Sequence, residues 1–274
     1  MIYLIVLIAL IVCCYIYDFR GATKQKWFWY FAIMVSLILI AGLRYRLGSD
    51  TFFYLEDLKK AHGITDLSGV DFARSRYAPL WVVFNSLCKT VSPDMAVLQT
   101  AQAIIVNVAF FLFIKKNTRH VFLGVTLYYF FLYFLLNMEV MREAICVSLL
   151  LFSWPFFRDG KWLIYYIFAV VAFFVHVSAT VLLLLPLCCL PWVRDLFVFG
   201  KRTIFVFLGT LVVAFLIQKY LFVFIQTIAF TDSMMDRATT YSKNDLGVEG
   251  VNLNGLIGLM FRYALYPVMA LYFI

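Results

Sequence analysis

The chain has 274 residues, of which 65% are apolar, 19% aromatic and 14% charged, and its formal net charge is +8 at pH 7. Soluble domains carry charge on about a quarter of their residues, so this composition argues against a water-soluble core and for a polytopic membrane protein. In a soluble protein the positive balance would suggest nucleic acid; here most Lys and Arg cluster between apolar runs, the pattern of topology signals, and no nucleic-acid partner is expected.

The first apolar run, Met1 to Tyr17, precedes its basic residues Arg20, Lys24 and Lys26 instead of following them, so it reads as a retained span and not as a secretory signal. A second run covers 27 to 43 and ends in Leu43-Arg44-Tyr45-Arg46-Leu47-Gly48-Ser49-Asp50, with Tyr54 following. Arginines at such an end can hold phosphate, a nearby carboxylate can orient or deprotonate a hydroxyl, and glycine lets the backbone come close to a ligand. The loop from 44 to 78 holds six basic residues. Pro79 to Val91 is apolar but brief and contains Asn85 and Lys89, which suits a re-entrant or interfacial helix.

Further spans are expected at 95 to 114, 121 to 136, 144 to 157, 204 to 229 and 255 to 274, while Trp162 to Leu190, interrupted at His176 and Ser178, reads as two short crossings. Four basic clusters then share one side: Arg20/Lys24/Lys26, Lys115/Lys116/Arg119, Arg158/Lys161 and Arg194/Lys201/Arg202. The opposite, outer side receives the N-terminus, the 44 to 78 and 230 to 254 loops, the Asn137 to Glu143 turn and the His176 turn. The expected fold is therefore all-α. It is a single membrane domain over 1-274, with about nine membrane segments (one of them re-entrant), multi-pass in a bacterial cytoplasmic membrane.

The turn Asn137-Met138-Glu139-Val140-Met141-Arg142-Glu143-Ala144 places ionisable groups at the edge of hydrocarbon, where they are costly. Glu139 and Arg142 are i,i+3 neighbours and can pair across a helix end, but Glu139 and Glu143 are like charges at i,i+4, which one arginine cannot repair for both. His176 stands alone among apolar residues. It is either a packed, hydrogen-bonded residue or, at an outer face, a base for an acceptor hydroxyl. In the last loop Arg237 and Tyr241 lie i,i+4 apart, on one face of a helix if one forms there. Arg262 lies inside the run Gly255 to Ile274.

Six cysteines, at 13, 14, 88, 146, 188 and 189, lie in or beside apolar segments without a CxxC pair, and no metal site is expected. Signatures of nucleotide, dinucleotide, zinc-protease or serine-hydrolase chemistry are missing from the sequence, and no cofactor is expected.

Read together, Arg44-Tyr45-x-x-Gly48-Ser49-Asp50 with Tyr54, Tyr77-Ala78-Pro79-Leu80-Trp81, Asn137 with Met141-Arg142-Glu143-Ala144, Phe174-x-His176-x-Ser178-Ala179, and Arg237 with Tyr241 resemble the EpsG family, a branch of the Wzy-like exopolysaccharide, capsule and O-antigen polymerases. Two positions depart from that pattern. Ala78 stands where an acidic residue is frequent, and Glu143 where Gln is frequent. The family also continues with further helices, so the chain, ending inside an apolar run at Ile274, is expected to be C-terminally incomplete.

The resemblance implies a glycosyl transfer, without a metal, between undecaprenyl-pyrophosphate-linked repeat units on the outer face of the membrane. It implies Arg44, Arg46, Tyr54, Asn137, Arg142, Arg237 and Tyr241 as substrate-binding residues, and Asp50, His176 or Glu143 as the base. Expected partners are the lipid-linked oligosaccharide, the bilayer, a chain-length regulator and a flippase. Two rival readings stay open: a transporter or assembly component of glycan export, and an integral-membrane O-acyltransferase.

Overall fold

Helices account for nearly all of the described chain, because long apolar stretches with few breakers satisfy their own backbone hydrogen bonds in no other way. The computed structural model describes residues 2–45, 47–48, 51–64 and 77–189, all within Met1–Asp195, the first of the two units into which the chain divides. In order these are α1 (Ile2–Cys13, continued in wider π turns over Cys14–Phe19), α2 (Lys26–Gly42), α3 (Thr51–Lys60), α4 (Pro79–Val91), α5 (Met95–Asn117), α6 (Val121–Tyr128, continued in π turns Tyr129–Tyr133 and Leu135–Glu139), α7 (Met141–Arg158), α8 (Trp162–Val175) and α9 (Thr180–Leu184).

Local chemistry sets several of these boundaries. Pro79 opens α4 after an extended Ala78, since proline needs no amide hydrogen at the first helical position. Asp94 caps α5 by accepting the Ala96 amide at 3.1 Å. Lys89 reaches from α4 to donate to the carbonyls of Lys59 and Ala61 at 2.7 and 2.5 Å, closing the C-terminal end of α3 with a cation.

The nine-segment bundle expected from the sequence is corrected here. Among the described residues two helices are long and apolar enough to cross a membrane: Ile2–Phe19, of 18 residues, and Met95–Asn117, of 23. The multi-pass localisation in a bacterial cytoplasmic membrane is corrected with it, because two such helices do not establish a multi-pass topology. The reason is length. The 17 residues of α2 rise about 26 Å, short of a hydrocarbon core of ~30 Å, and Val121–Tyr133, Trp162–Val175 and Val177–Leu187 are shorter still. Several of the apolar runs counted as spans, 27 to 43 among them, are themselves this short. The 144 to 157 run, for its part, belongs to a helix that also carries Arg142, Glu143 and Arg158. The expected spans at 204 to 229 and 255 to 274 lie outside the described residues.

Two apolar cores form. One joins α1, α2, α6 and most of α5 around Leu10, Leu37, Val106 and Phe122; the other joins α3, α4, α7 and α8 around Leu58, Trp81, Met141 and Tyr165. Many large apolar side chains remain outside both, among them Ile5, Phe28, Phe31, Phe130, Leu163 and Ile167, a surface suited to hydrocarbon and not to water.

The helices alternate in direction, which sorts the charges by end. Lys26 pairs with Asp18 at 3.4 Å, Lys115 lies over Trp27 at 4.6 Å, and Phe113 meets Trp154 near the Arg158 end of α7. Arg20, Lys26, Lys115 and Arg158 therefore share one end, and the turns around Gly48, Met138 and His176 form the other. The fourth expected basic cluster, Arg194/Lys201/Arg202, lies outside the described residues.

Candidate functional site

At the end away from the basic clusters the chain leaves α6 through Val140, whose φ of −97° and ψ of 65° break the helix before α7 begins at Met141. Arg142 is thus on the first turn of α7, and side chains there tilt back past the helix start. Its guanidinium does not pair with Glu139. Among the described residues it lies over the rings of Tyr77, 4.7 Å away, and Tyr54, 5.9 Å away.

The rings are themselves fixed. Tyr54 is 4% exposed and meets fully buried Trp81 edge-on at 5.6 Å. Tyr77 donates its hydroxyl to the Asp57 carboxylate. Tyr54 and Asp57 are one helical turn apart on α3, so one face of that helix supplies both a ring for the cation and an acceptor for the second ring. Two N–H donors in this cluster, Arg142 Nε and Trp81 Nε1, are buried without a hydrogen-bond partner among the described residues. Unpartnered donors of this kind are costly unless a ligand atom satisfies them.

Gly48 ties the first motif to the turn before Arg142. Its φ is +105°, a conformation side chains rarely adopt, and a Cβ there would stand 1.9 Å from the Met138 carbonyl oxygen. The close approach that glycine permits is made to backbone. Thr51 then fastens the start of α3 to the same loop by donating to Leu47 O at 2.6 Å.

Asn137 is fully buried and committed inward. Its amide nitrogen donates to Tyr128 Oη at 2.9 Å and to Tyr133 O at 3.0 Å, and its Oδ1 accepts from Asn107 at 2.9 Å. That arrangement gives it the role of holding the turn. Asn137→Leu takes from the Asn107 amide one of its two acceptors, Ala103 O being the other, and removes the donor to Tyr128 Oη, and unfolding measured in detergent should show a loss of about 1–3 kcal/mol; unchanged stability would mean that the network contributes nothing.

Arg44 faces elsewhere. It is 7% exposed, donates through Nη1 to Ala41 O at 2.6 Å and through Nε to Leu47 O at 3.3 Å, and lines a groove between the start of α1 and the end of α2. Burial pulls its guanidinium down to about 10, which leaves it charged at neutral pH. Its contacts are thus separate from those of Arg142.

His176 ends α8 in extended backbone, and its Nδ1 accepts the Ser178 amide at 3.1 Å beside the Ser178 hydroxyl at 2.7 Å. This caps the following turn and uses the nitrogen whose lone pair a base would need. α8 lies against α7 there, with Cys146 Sγ donating to Ala172 O at 3.3 Å, so His176 shares the end occupied by Arg142. Glu143 is exposed in the first turn of α7, where its charge suits the helix dipole. Asp50, Arg46, Arg237, Tyr241 and Arg262 lie outside the described residues.

The residues brought together are therefore Tyr54 and Arg142, joined by three that were not singled out as site residues: Asp57, Tyr77 and Trp81. The spacing of Asp57 from Tyr54 was a usable signal. No curated protein and no solved structure matches the chain. The model of the EpsG family matches residues 26–274, a stretch that begins at α2 and takes in every residue of this cluster. Separate segments that carry the family's pattern meet around one guanidinium, and with that match the chain belongs to the EpsG family, whose function is polysaccharide-related and tied to membranes.

Proposed function

We propose that the chain is a polymerase-type glycosyltransferase that joins repeat units carried on lipid diphosphates such as undecaprenyl pyrophosphate. One observation carries the reading: Arg142 Nε and Trp81 Nε1 are buried, unpartnered donors flanking the same Tyr54 ring. Donors fixed in a low-dielectric setting stabilise charge that grows on an oxygen, and that is what a departing diphosphate presents. In the step itself an acceptor hydroxyl oxygen bonds to the anomeric carbon of the donor sugar. The bond from that carbon to the diphosphate breaks, its electron pair leaves with the diphosphate, and the hydroxyl proton passes to a base. Asp50, His176 and Glu143 are the candidates for the base; His176 would act only once its Nδ1 leaves the Ser178 amide, while Glu143 is exposed on the same helical turn as Arg142. Arg46, Arg237 and Tyr241 are assigned to the glycan and its diphosphate on the family pattern alone.

The full chain in vesicles, supplied with a lipid-diphosphate-linked oligosaccharide, should yield a ladder of longer glycans and release one lipid diphosphate per bond formed. Movement of the substrate across the vesicle with no ladder would overturn the assignment in favour of transport. Asp57 is a positioning residue in this reading, since it reaches the cation through Tyr77. Asp57→Leu should cut ladder formation about tenfold while Asp57→Asn, which keeps an acceptor oxygen, largely restores it. Equal defects in both would point to a need for the charge itself.

A further inference from the structure

We infer that the groove between α1 and α2 binds one anionic bilayer phospholipid, a phosphodiester without a balancing headgroup cation, with its phosphate on Arg44 and one acyl chain along the apolar walls, apart from the reaction at Arg142. The groove encloses about 300 Å³ and is lined by Ile2, Tyr3, Leu39, Ile40, Leu43, Arg44 and Leu47. Arg44 is the one cation among these described residues. Its Nη2 is buried without a hydrogen-bond partner among the described residues, although Nη1 and Nε both have one. A buried guanidinium with an unsatisfied N–H is an unfavourable arrangement that an anionic oxygen relieves. The walls can yield to admit it: Ile2, Leu39, Leu43 and Leu47 are 54%, 49%, 66% and 46% exposed, so no tight packing has to break.

The choice of occupant follows from charge and shape. A single guanidinium matches the single charge of a phosphodiester, while a lipid diphosphate carries more negative charge than this groove answers. The apolar remainder of the lining suits hydrocarbon and offers little to a glycan. The inference goes beyond the proposed function and does not depend on it, because it involves neither Tyr54 nor Arg142.

The test is native mass spectrometry of the full chain taken from vesicles of phosphatidylglycerol and phosphatidylcholine in equal parts. Wild type should retain one phosphatidylglycerol. Arg44→Gln should lower that occupancy about tenfold, the effect of losing one charge-assisted contact. Leu39→Trp, which fills the groove and keeps the guanidinium, should lower it comparably, so a folding defect in the first variant does not decide the matter. Arg142→Gln should leave it unchanged. Several results would overturn the inference: equal retention of phosphatidylcholine, full occupancy in Leu39→Trp, loss in Arg142→Gln, a dimer seated on the groove that Leu39→Trp dissociates, or displacement of the phospholipid by an isoprenyl diphosphate at equal concentration.

Discussion

Arg142→Ala is expected to lower glycan extension by ~100-fold or more, the scale seen when a donor is removed from a preorganised charge-stabilising site. The alanine takes away the Nε donor and the planar cation that lies over Tyr77 and Tyr54. Arg142→Lys keeps the charge but loses the flat, multi-donor fork and its stacking on the rings, so it should remain about tenfold or more below wild type. Trp81→Phe separates packing from donation. It keeps an aromatic ring beside Tyr54 and removes one N–H, and a loss of extension at unchanged thermal stability would place that donor on the substrate. The readout in each case is the length distribution of the glycan together with the amount of single lipid-linked units left over. A role confined to stability would move the unfolding temperature of all three variants and spare the ratio of long to single units in the protein that remains folded.

Gly48→Ala should be the most damaging small substitution in the described chain. Its Cβ would have to sit 1.9 Å from the Met138 carbonyl oxygen, 2.9 Å from the carbonyl carbon and 3.0 Å from Thr51 Oγ1, and two of those atoms are backbone. The strain of φ +105° adds to the overlap. A cost of about 2–4 kcal/mol is expected, and because the displaced atoms belong to the turn that leads into α7, extension should fall along with stability. Gly160→Ala is the control. It too has positive φ, at +69°, but nothing lies within 4 Å of its Cβ position, so it should cost only about 1 kcal/mol and leave extension intact. Equal effects of the two, by denaturant titration in detergent, would mean that the contact with Met138 carries no weight.

Much of the helical framework could be read from residue patterns, because its signals are local. Pro79 starts a helix, the apolar run from 95 follows one, and His176 interrupts another. What a run of apolar letters does not reveal is where hydrogen bonding stops. α6 widens into π turns after Tyr128, whereas α2 keeps the 17 residues of its apolar run, and short length is what reduced the count of helices able to cross a membrane among the described residues. At the site the cost of ions near hydrocarbon marks Arg142 as an unusual cation. Its partners could not be read the same way: Tyr54 and Tyr77 lie 88 and 65 positions earlier in the chain, and only folding shows that they, and not Glu139, face it. Asn137 shows the converse. Its place in the motif gave no sign of its partners: Tyr128 Oη and Tyr133 O take the hydrogens of its amide, and Asn107 of α5 donates to its oxygen.

The π turns over Tyr129–Tyr133 and Leu135–Glu139 make residue number matter more than residue type in that part of the chain. Each position advances an α-helix by about 100° around its axis, so shortening this stretch by one would swing the Asn137 amide off the inner face and carry the Met138 carbonyl away from Gly48. Side-chain exchanges at Phe130 or Phe131, which point outward, leave that angular setting alone. A deletion scan through the segment would therefore act like slipping a gear by one tooth: every side chain is still present, and each faces the wrong way.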